Sequence, residues 1–413
     1  MKKKKQNTDT DPKVILARHR KLFMERLREI CDVLAGPGIF EKFPSQALNF
    51  LFETRYPVLK VKAAPGSLIP KEKIEAFNKH FMKEMEEVYI NTDTDKKLLL
   101  SWYLTDGLLL IHFAEVLTEN HFPGSSLIKE AFKSYYSNTP GYQVGPRMLA
   151  AVLQDIEIFH SSLNDRLLIA DMATTACQDM NTLQNVIYLR DFKPEKTQII
   201  IEGKKRDLTR VGWIGKDFEF MWAKIKPSKL GFDVAQFDIP LDVYIQNHAF
   251  MRLQERLGIT PGIMHMIAFL TFHEFEIEYY KRPNHTLIAV YLSDEKAGYF
   301  LVTLNDAKII IRSFLFLTND GTPEGKKLEE MTNVQLLDKK FLGIDNLSIF
   351  NSLNIGADEK LTKLFTAAGC GSLLKLSHLK ALSQDKLEDK DAASLRQYLS
   401  ASEYFLKQKA VEG

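Results

Sequence analysis

Residues 239–260, IPLDVYIQNHAFMRLQERLGIT, mark the point at which helices lead into a predicted antiparallel sheet. The pattern predicts a short helix that ends at Gly258, because glycine is the usual residue just past a helix C-terminus. His248, Arg252 and Arg256 recur every four residues, so they line one stripe of that helix. The apolar residues between them fall on another face that can be buried: Phe250, Leu253 and Leu257.

After a second helix that begins at Thr260-Pro261, the apolar residues recur every two positions, which is typical of strands. Upstream, residues 197–213 predict a hairpin. The segment 191–322 is therefore expected to form an α+β domain in which helices precede an antiparallel meander. The expected meander strands are 274–279, with an acidic face, 286–292, 299–304 and 309–317.

The rest of the chain has helical spacing. Residues 1–10 predict a disordered basic tail, residues 11–190 an all-α helical domain, and residues 323–413 helices that pack on the preceding domains. The expected class is α+β overall. The predicted helices are 12–35, 44–54, 70–89, a buried apolar one within 98–117, 126–136, 146–161, 164–178, 323–331, 358–367, 373–384 and 391–407.

Composition excludes several classes of protein. The chain has 413 residues, of which 45% are hydrophobic and 26% charged, as in ordinary globular proteins of two or three domains. A net charge of +2 gives no global basic field, so nucleic acid would need a local patch. Three distant cysteines predict neither a disulfide framework nor a metal site, and no cofactor motif is present. Asp106 within the apolar window argues against a membrane span, so we expect a cytoplasmic protein.

The string HAFMRLQERLGI, residues 248–259, resembles the His-Ala-x-x-Arg-x-x-x-Arg helix of the RelE-like and barnase–EndoU–colicin ribonuclease fold. The resemblance covers residues 247–318. It implies a metal-independent endoribonuclease, such as a toxin or defence effector, that acts on RNA phosphodiesters. By that implication His248 is an acid or base, and Arg252 and Arg256 hold the phosphate. Arg312, in the last strand, joins them if it faces the helix.

These residue types suit the chemistry. Histidine exchanges protons near neutral pH, and arginine offers fixed donors to phosphate oxygens. The hairpin adds the densest local positive charge after the N-terminal tail, and we expect it to bind the nucleic-acid backbone. Its basic residues are Lys204, Lys205, Arg206 and Arg210.

Another interpretation stays open at this point. His248 caps or packs at a helix start, and Arg252 pairs with Glu255 on the surface. In that case the chain is a non-catalytic interaction or scaffold protein, and its helical domain binds a protein partner. The acidic strand 274–278 favours this alternative, because it would repel RNA from the same groove.

Overall fold

The structure is a computed structural model that describes residues 12–93, 95–162, 165–174, 185–215, 220–233, 238–273, 276–382, 392–400, 402 and 404. Its mixture of helices and sheets confirms the α+β class. The chain divides into two compact units. One consists of Met1–Glu157 and Ile169–Asp191, and the other of Ile158–Leu168 and Phe192–Gly413. The predicted basic tail, Cys177 and Glu274 lie outside the described residues.

Helices dominate the first unit. Their apolar residues recur at three and four positions and become buried, as Phe77, Phe81 and Met85 do in α3. The helices are α1 (Pro12–Leu34), α2 (Ser45–Glu53), α3 (Lys71–Glu87), α4 (Leu100–Trp102), α5 (Leu108–Val116), α6 (Ser125–Ala131) and α7 (Pro140–His160), with 3-10 turns at Phe40–Lys42 and Lys133–Tyr135.

The expectation that residues 11–190 are all helical is wrong. Strand β1 (Lys60–Ala63) pairs in parallel with β5 (Asn185–Phe192), and β4 (Leu167–Thr174) completes a three-stranded sheet. A small hairpin joins β2 (Tyr89–Asn91) to β3 (Lys97–Leu99). The helix predicted over 164–178 is a strand where it is described, because a short buried apolar run has no period that separates strand from helix.

The predicted buried helix within residues 98–117 is interrupted by a π-helical turn, Tyr103–Gly107, between α4 and α5. The turn carries Asp106, whose buried carboxylate forms an ion pair with Arg26 of α1 at 2.5 Å. Throughout the described part of the chain, no helix has the length and apolarity needed to cross a membrane.

The second unit is built on a seven-stranded path. Its strands are β6 (Lys196–Ile201), β7 (Lys204–Arg210), β11 (Leu241–Gln246), β12 (Tyr279–Lys281), β13 (Thr286–Leu292), β14 (Glu295–Asn305) and β15 (Lys308–Phe316). Their spatial order is β12-β13-β14-β15-β11-β7-β6. Shorter strands are β8 (Gly212–Ile214), which pairs with β9 (Phe220–Trp222), and β10 (Lys224–Ile225), which pairs with β11.

Strand β11 corrects the expectation of a purely antiparallel meander. It immediately precedes helix α8 (Asn247–Leu257) and is an interior strand of the sheet, between β15 and β7. It runs parallel to β15, with Val243 opposite Ile309, and antiparallel to β7, with Tyr244 opposite Arg210. The six residues before the helix, including Asp242, are therefore strand, and the residue at the helix N-cap is Gln246.

Two-residue turns close three of the hairpins of this sheet. Both central residues of each turn have positive φ, the geometry that matches the right-handed twist of paired strands. The turns are Glu202-Gly203, Ser293-Asp294 and Asp306-Ala307.

One face of the sheet packs on helices α8 and α9 (Pro261–Thr271) and on the C-terminal helices, which together form the main core. The opposite face, called here the outer face, carries a small separate cluster: Ile199, Ile201, Leu208, Tyr244 and Ile310. The C-terminal helices are α10 (Pro323–Thr332), α11 (Leu336–Leu342), α12 (Leu347–Ser352), α13 (Glu359–Ala367), α14 (Ser372–Lys375) and α15 (Ala393–Leu399), with 3-10 turns at Ile355–Ala357 and Leu376–Leu382. A further 3-10 turn, Pro227–Leu230, lies between β10 and β11.

Candidate functional site

His248 and Arg252 lie on the surface of α8, as the spacing predicts. The His248 side chain is exposed at the start of the helix. The Arg252 guanidinium donates to Glu255 Oε2 at 2.7 Å, three residues further along the same helix. Both side chains of this pair are substantially exposed, so the pair resembles ordinary surface ion pairs, which contribute about 0–1 kcal/mol.

Arg256, the third member of the stripe, has a structural partner. It is mostly buried, forms an ion pair with the Asp345 carboxylate and donates to the Asp345 backbone oxygen at 3.1 Å. Asp345 lies between α11 and α12, so this pair ties α8 to the C-terminal helices. A guanidinium held in this way is not presented to a phosphate in solvent.

Arg312 does not join the stripe. Ile309 and Ile311 of β15 pack in the core beneath α8, whereas Ile310 belongs to the outer-face cluster. Arg312 lies at a β-bulge in the pairing of β15 with β14, and its ion pair with Glu202, which directly follows Ile201 of the outer-face cluster, places it on the outer face. The sheet therefore separates Arg312 from His248, and the four predicted catalytic residues do not form one site.

The basic hairpin divides between the two faces of the sheet. Lys204 is paired with Ile201 and Arg206 with Ile199, and directly paired residues share a face. Both basic residues therefore lie on the outer face with Arg312. Lys205, which is paired with Ile200, points the other way.

Arg210, the fourth hairpin residue, is part of the framework. It donates to Glu195 and to Asp242, each at 2.7 Å, and stacks on the Trp222 ring at 4.3 Å. Partial burial opposes its charge, but the two carboxylates raise its pKa. We therefore assign Arg210 to the framework rather than to an anion site.

The outer face opens into a groove of about 470 Å³ that begins at Arg312. It is lined by the end of β6, the turn between β12 and β13, and the end of β14. The basic side chains of its lining are Lys281, Arg282, His285 and Arg312; the acidic ones are Glu202 and Asp233.

Ion pairs within the groove are formed with exposed carboxylates. Arg312 donates to Glu202 Oε1 at 3.0 Å, and Lys281 donates to Asp233 Oδ2 at 2.6 Å. Arg312 is the largest influence that lowers the pKa of Glu202, and Arg206 and Lys204 add to it. The hairpin lysine and arginine thus act electrostatically on the same point as Arg312.

His285 is a groove residue to which the sequence pattern assigns no role, since its spacing from other histidines fits no metal motif. Its backbone oxygen accepts from the Arg282 amide at 2.9 Å, which closes the turn between β12 and β13. Burial lowers the pKa of His285, and the charges of Arg282 and Arg312 lower it further. The ring is therefore neutral at neutral pH, the state in which it can accept a proton.

Thr303 adds a polar atom to the groove lining. It is almost fully buried, and its Oγ1 has no hydrogen-bond partner among the described residues. Buried hydroxyls nearly always form a hydrogen bond. Thr303 is thus suited to contact a polar ligand atom in the groove.

Glu276 and Glu278, the described carboxylates of the acidic segment that was expected to repel RNA, lie outside the groove lining. Strand β12 begins at Tyr279 rather than at the predicted 274. Glu278 accepts from Lys296 at 2.6 Å and from the Tyr291 hydroxyl. Together with Glu276 it lines a different pocket, beside α9. These carboxylates are not part of the groove lining.

The sequence contains one signal for the groove, the segment YYKRPNH at residues 279–285. It combines aromatic, basic and turn residues within seven positions. On pattern alone, the segment predicts only the end of a strand and a turn. Its proximity to Arg312 and to the hairpin follows from strand order, which the segment itself does not encode.

No family model, curated protein or solved structure matches this chain. Within the described ranges, no group of three or more His, Cys, Asp or Glu side chains is arranged to hold a metal ion.

Proposed function

We propose that the second unit binds RNA through the outer-face groove and cleaves its phosphodiester bonds without a metal. The observation that supports this most directly is the convergence of Arg312, Arg282 and His285 on one groove beside the hairpin residues Lys204 and Arg206. The proposal keeps the reaction class that the sequence suggests but moves the base from His248 to His285.

Phosphate binding in the groove requires only that exposed ion pairs exchange partners. Glu202 is the partner of Arg312, and its side chain is 73% exposed. Such a pair is stabilised weakly because water screens it. A phosphate offers the same guanidinium two oxygens and more negative charge, which favours bidentate hydrogen bonds.

The chemistry assigns one role to each group. Neutral His285 takes the proton of a ribose 2′-hydroxyl, whose oxygen then attacks the adjacent phosphorus. Arg312 and Arg282 stabilise the negative charge that develops on the phosphate oxygens. The 5′-oxygen leaves with a proton from solvent, to which the groove is open.

The test is a titration of fluorescently labelled RNA, followed by a cleavage assay in excess chelator. Arg312→Gln should weaken RNA binding about tenfold, the scale of one charge-assisted hydrogen bond. The salt dependence should also become shallower, by about 0.7–0.9 in log–log slope for each phosphate that is no longer neutralised. His285→Ala should reduce cleavage about 100-fold or more.

Arg252→Gln is the matched control, because Arg252 also pairs with a neighbouring glutamate but lies outside the groove. It should leave binding and cleavage unchanged. Wild-type protein that shows no saturable RNA binding would refute the proposal. Binding without cleavage would remove the catalytic part and leave an RNA-binding protein.

A second candidate is a scaffold role in which the helical unit binds a protein partner. It is favoured by the first turns of α1, where every residue from Pro12 to Leu22 is exposed. Large apolar side chains lie among them: Val14, Ile15, Leu16 and Leu22. The RNA titration separates the two candidates, since a scaffold protein does not require the groove to bind RNA.

A further inference from the structure

Strand β12 is an exposed aromatic and basic edge next to the groove. It ends the sheet on one side, and its residues Tyr279, Tyr280 and Lys281 are all exposed. Arg282 follows directly and lines the groove. The two neighbouring tyrosines, each 45% exposed, leave aromatic surface open to solvent along this edge.

Tyr279, which points to the opposite face of β12 from Tyr280, packs against the groove wall from outside the groove lining. Its ring lies over Gly231, where a Cβ atom would approach the ring carbon Cε2 to 2.4 Å. Gly231 itself lines the groove, followed by the half-buried Phe232. Its φ of +75° is in the left-handed region that favours glycine. The backbone at this point therefore allows the ring to lie close.

Tyr280 is connected to the groove through Arg282. The Arg282 guanidinium lies over the Tyr280 ring, 4.7 Å from its centroid. An arginine in this position can contact a phosphate in the groove, while the other face of the ring can receive a base. Positive charge along the backbone and aromatic surfaces beside it are the two components of single-strand binding sites.

We infer that the groove and β12 together bind a single-stranded RNA segment in preference to a duplex, with a base stacked on Tyr280. This inference rests on the proposed RNA-binding function. Bases of a duplex are stacked on each other and cannot pack on this ring. Protein modules that recognise duplex RNA contact its phosphates and 2′-hydroxyls rather than stacking on its bases.

Fluorescence anisotropy with the full chain tests the inference. The probes are a labelled oligouridine and a labelled RNA duplex of equal length, each titrated at the same salt concentration. We expect the single strand to bind at least tenfold more tightly. Tyr280→Ala should reduce oligouridine affinity about tenfold, the scale of one base stacked on an aromatic ring. It should leave the salt slope unchanged, since no charge is removed.

Tyr280→Trp should retain the affinity, because tryptophan supplies an equivalent ring face. Tyr89→Ala is the control, since Tyr89 is an exposed strand tyrosine of the first unit. Thermal unfolding confirms that each variant folds. If both probes bind equally and Tyr280→Ala binds oligouridine like wild type, single-strand recognition is wrong while RNA binding stands. If neither probe binds, both proposals fall.

Discussion

Individual residues of the α8 stripe share a helix face but have different roles. Arg252 and Arg256 are one turn apart, and helical spacing treats them as equivalent. The structure gives Arg252 an exposed glutamate on its own helix and Arg256 a buried aspartate from the C-terminal helices. The difference is set by what packs against each position, which spacing along one helix does not encode.

The two arginines should therefore differ in their effect on stability. Arg256→Ala leaves Asp345, only 5% exposed, as a buried carboxylate without its ion-pair partner. We expect the free energy of unfolding to fall by about 3 kcal/mol or more. Arg252→Ala should cost less than about 1 kcal/mol. Urea denaturation of both variants measures this difference, and equal losses would contradict the structural role of Arg256.

His265 should make folding sensitive to acid. It is fully buried in α9 and stacks on Phe250, with ring centroids 4.3 Å apart. Burial lowers its pKa from 6.5 to about 3. Below pH 6.5 the unfolded chain therefore binds a proton that the folded chain excludes. The contribution of His265 to the free energy of unfolding is fully present above pH 6.5 and is lost progressively as the pH falls to about 3.

The contribution of His265 to this loss is at most about 1.4 kcal/mol per pH unit in that window. Urea denaturation across the pH range measures it. His265→Phe, which retains an aromatic ring against Phe250, should make the acid-side slope shallower. An unchanged slope in this variant would show that other groups cause the acid sensitivity.

At the scale of elements, α9 packs so closely on its neighbour that replacing its first-turn glycine by alanine should destabilise the fold, although this replacement usually stabilises a helix. Gly262 lies in the first turn of α9, and a Cβ there would be 1.6 Å from the Ile158 backbone oxygen. Alanine ordinarily stabilises helices relative to glycine. Here Gly262→Ala should destabilise by about 2 kcal/mol or more, because the two backbones must separate.

Gly356→Ala is the matched comparison for that substitution. Gly356 lies in a 3-10 turn, and nothing is within 4 Å of the position its Cβ would occupy. We expect a change within about 0.5 kcal/mol. Thermal unfolding of the two variants provides the measurement. Equal effects at the two sites would mean that α9 does not pack closely on Ile158.

Helices could be predicted from sequence where their apolar residues recur at helical spacing or where a typical N-cap residue precedes them. Helix α13 follows its N-cap Asp358, and α10 follows its N-cap Thr322 and begins at Pro323. Strand β11 could not be predicted, because its six residues resemble the approach to a helix. Only its pairing with β7 and β15 shows them to be a strand, and those partners are distant in sequence.

Several residues of the candidate site could be predicted from the sequence, but their arrangement in space could not. The sequence indicates Arg312, Lys204 and Arg206 as phosphate-binding residues, and strand order places them together on the outer face. The sheet separates His248 from them, since a residue's face depends on register. The segment 279–285 contains His285 but does not indicate a role for it as a base, because Arg312, which helps to lower its pKa, is a neighbour only in the folded chain.

At the scale of the whole molecule, the chain crosses between its units more than once. The segment Ile158–Leu168 belongs to the second unit although it precedes residues of the first. Its backbone packs against α9 at Gly262. A simple cut near residue 190, which the sequence suggests as a boundary, would remove this segment from the unit it stabilises.

Two fragments of the chain test whether the segment Ile158–Leu168 stabilises the second unit. A fragment of residues 192–413 should be less stable than one of residues 158–413. The expected difference is about 1 kcal/mol or more, because residues 192–413 lack the Ile158 backbone against which α9 packs at Gly262. Urea denaturation followed by tryptophan fluorescence gives the two midpoints. Equal midpoints would mean that the segment is dispensable for the second unit.

The interior position of β11, between β7 and β15, has a consequence during synthesis of the chain. On the ribosome, β7 is made before β11, but β15 follows only after α8, α9 and three further strands. At about 5–20 residues per second, one edge of β11 stays without its partner for several seconds. An open strand edge is a template for aggregation. Translation that pauses before β15 therefore leaves one edge of an interior strand open, and this is the stage at which a chaperone would be needed most.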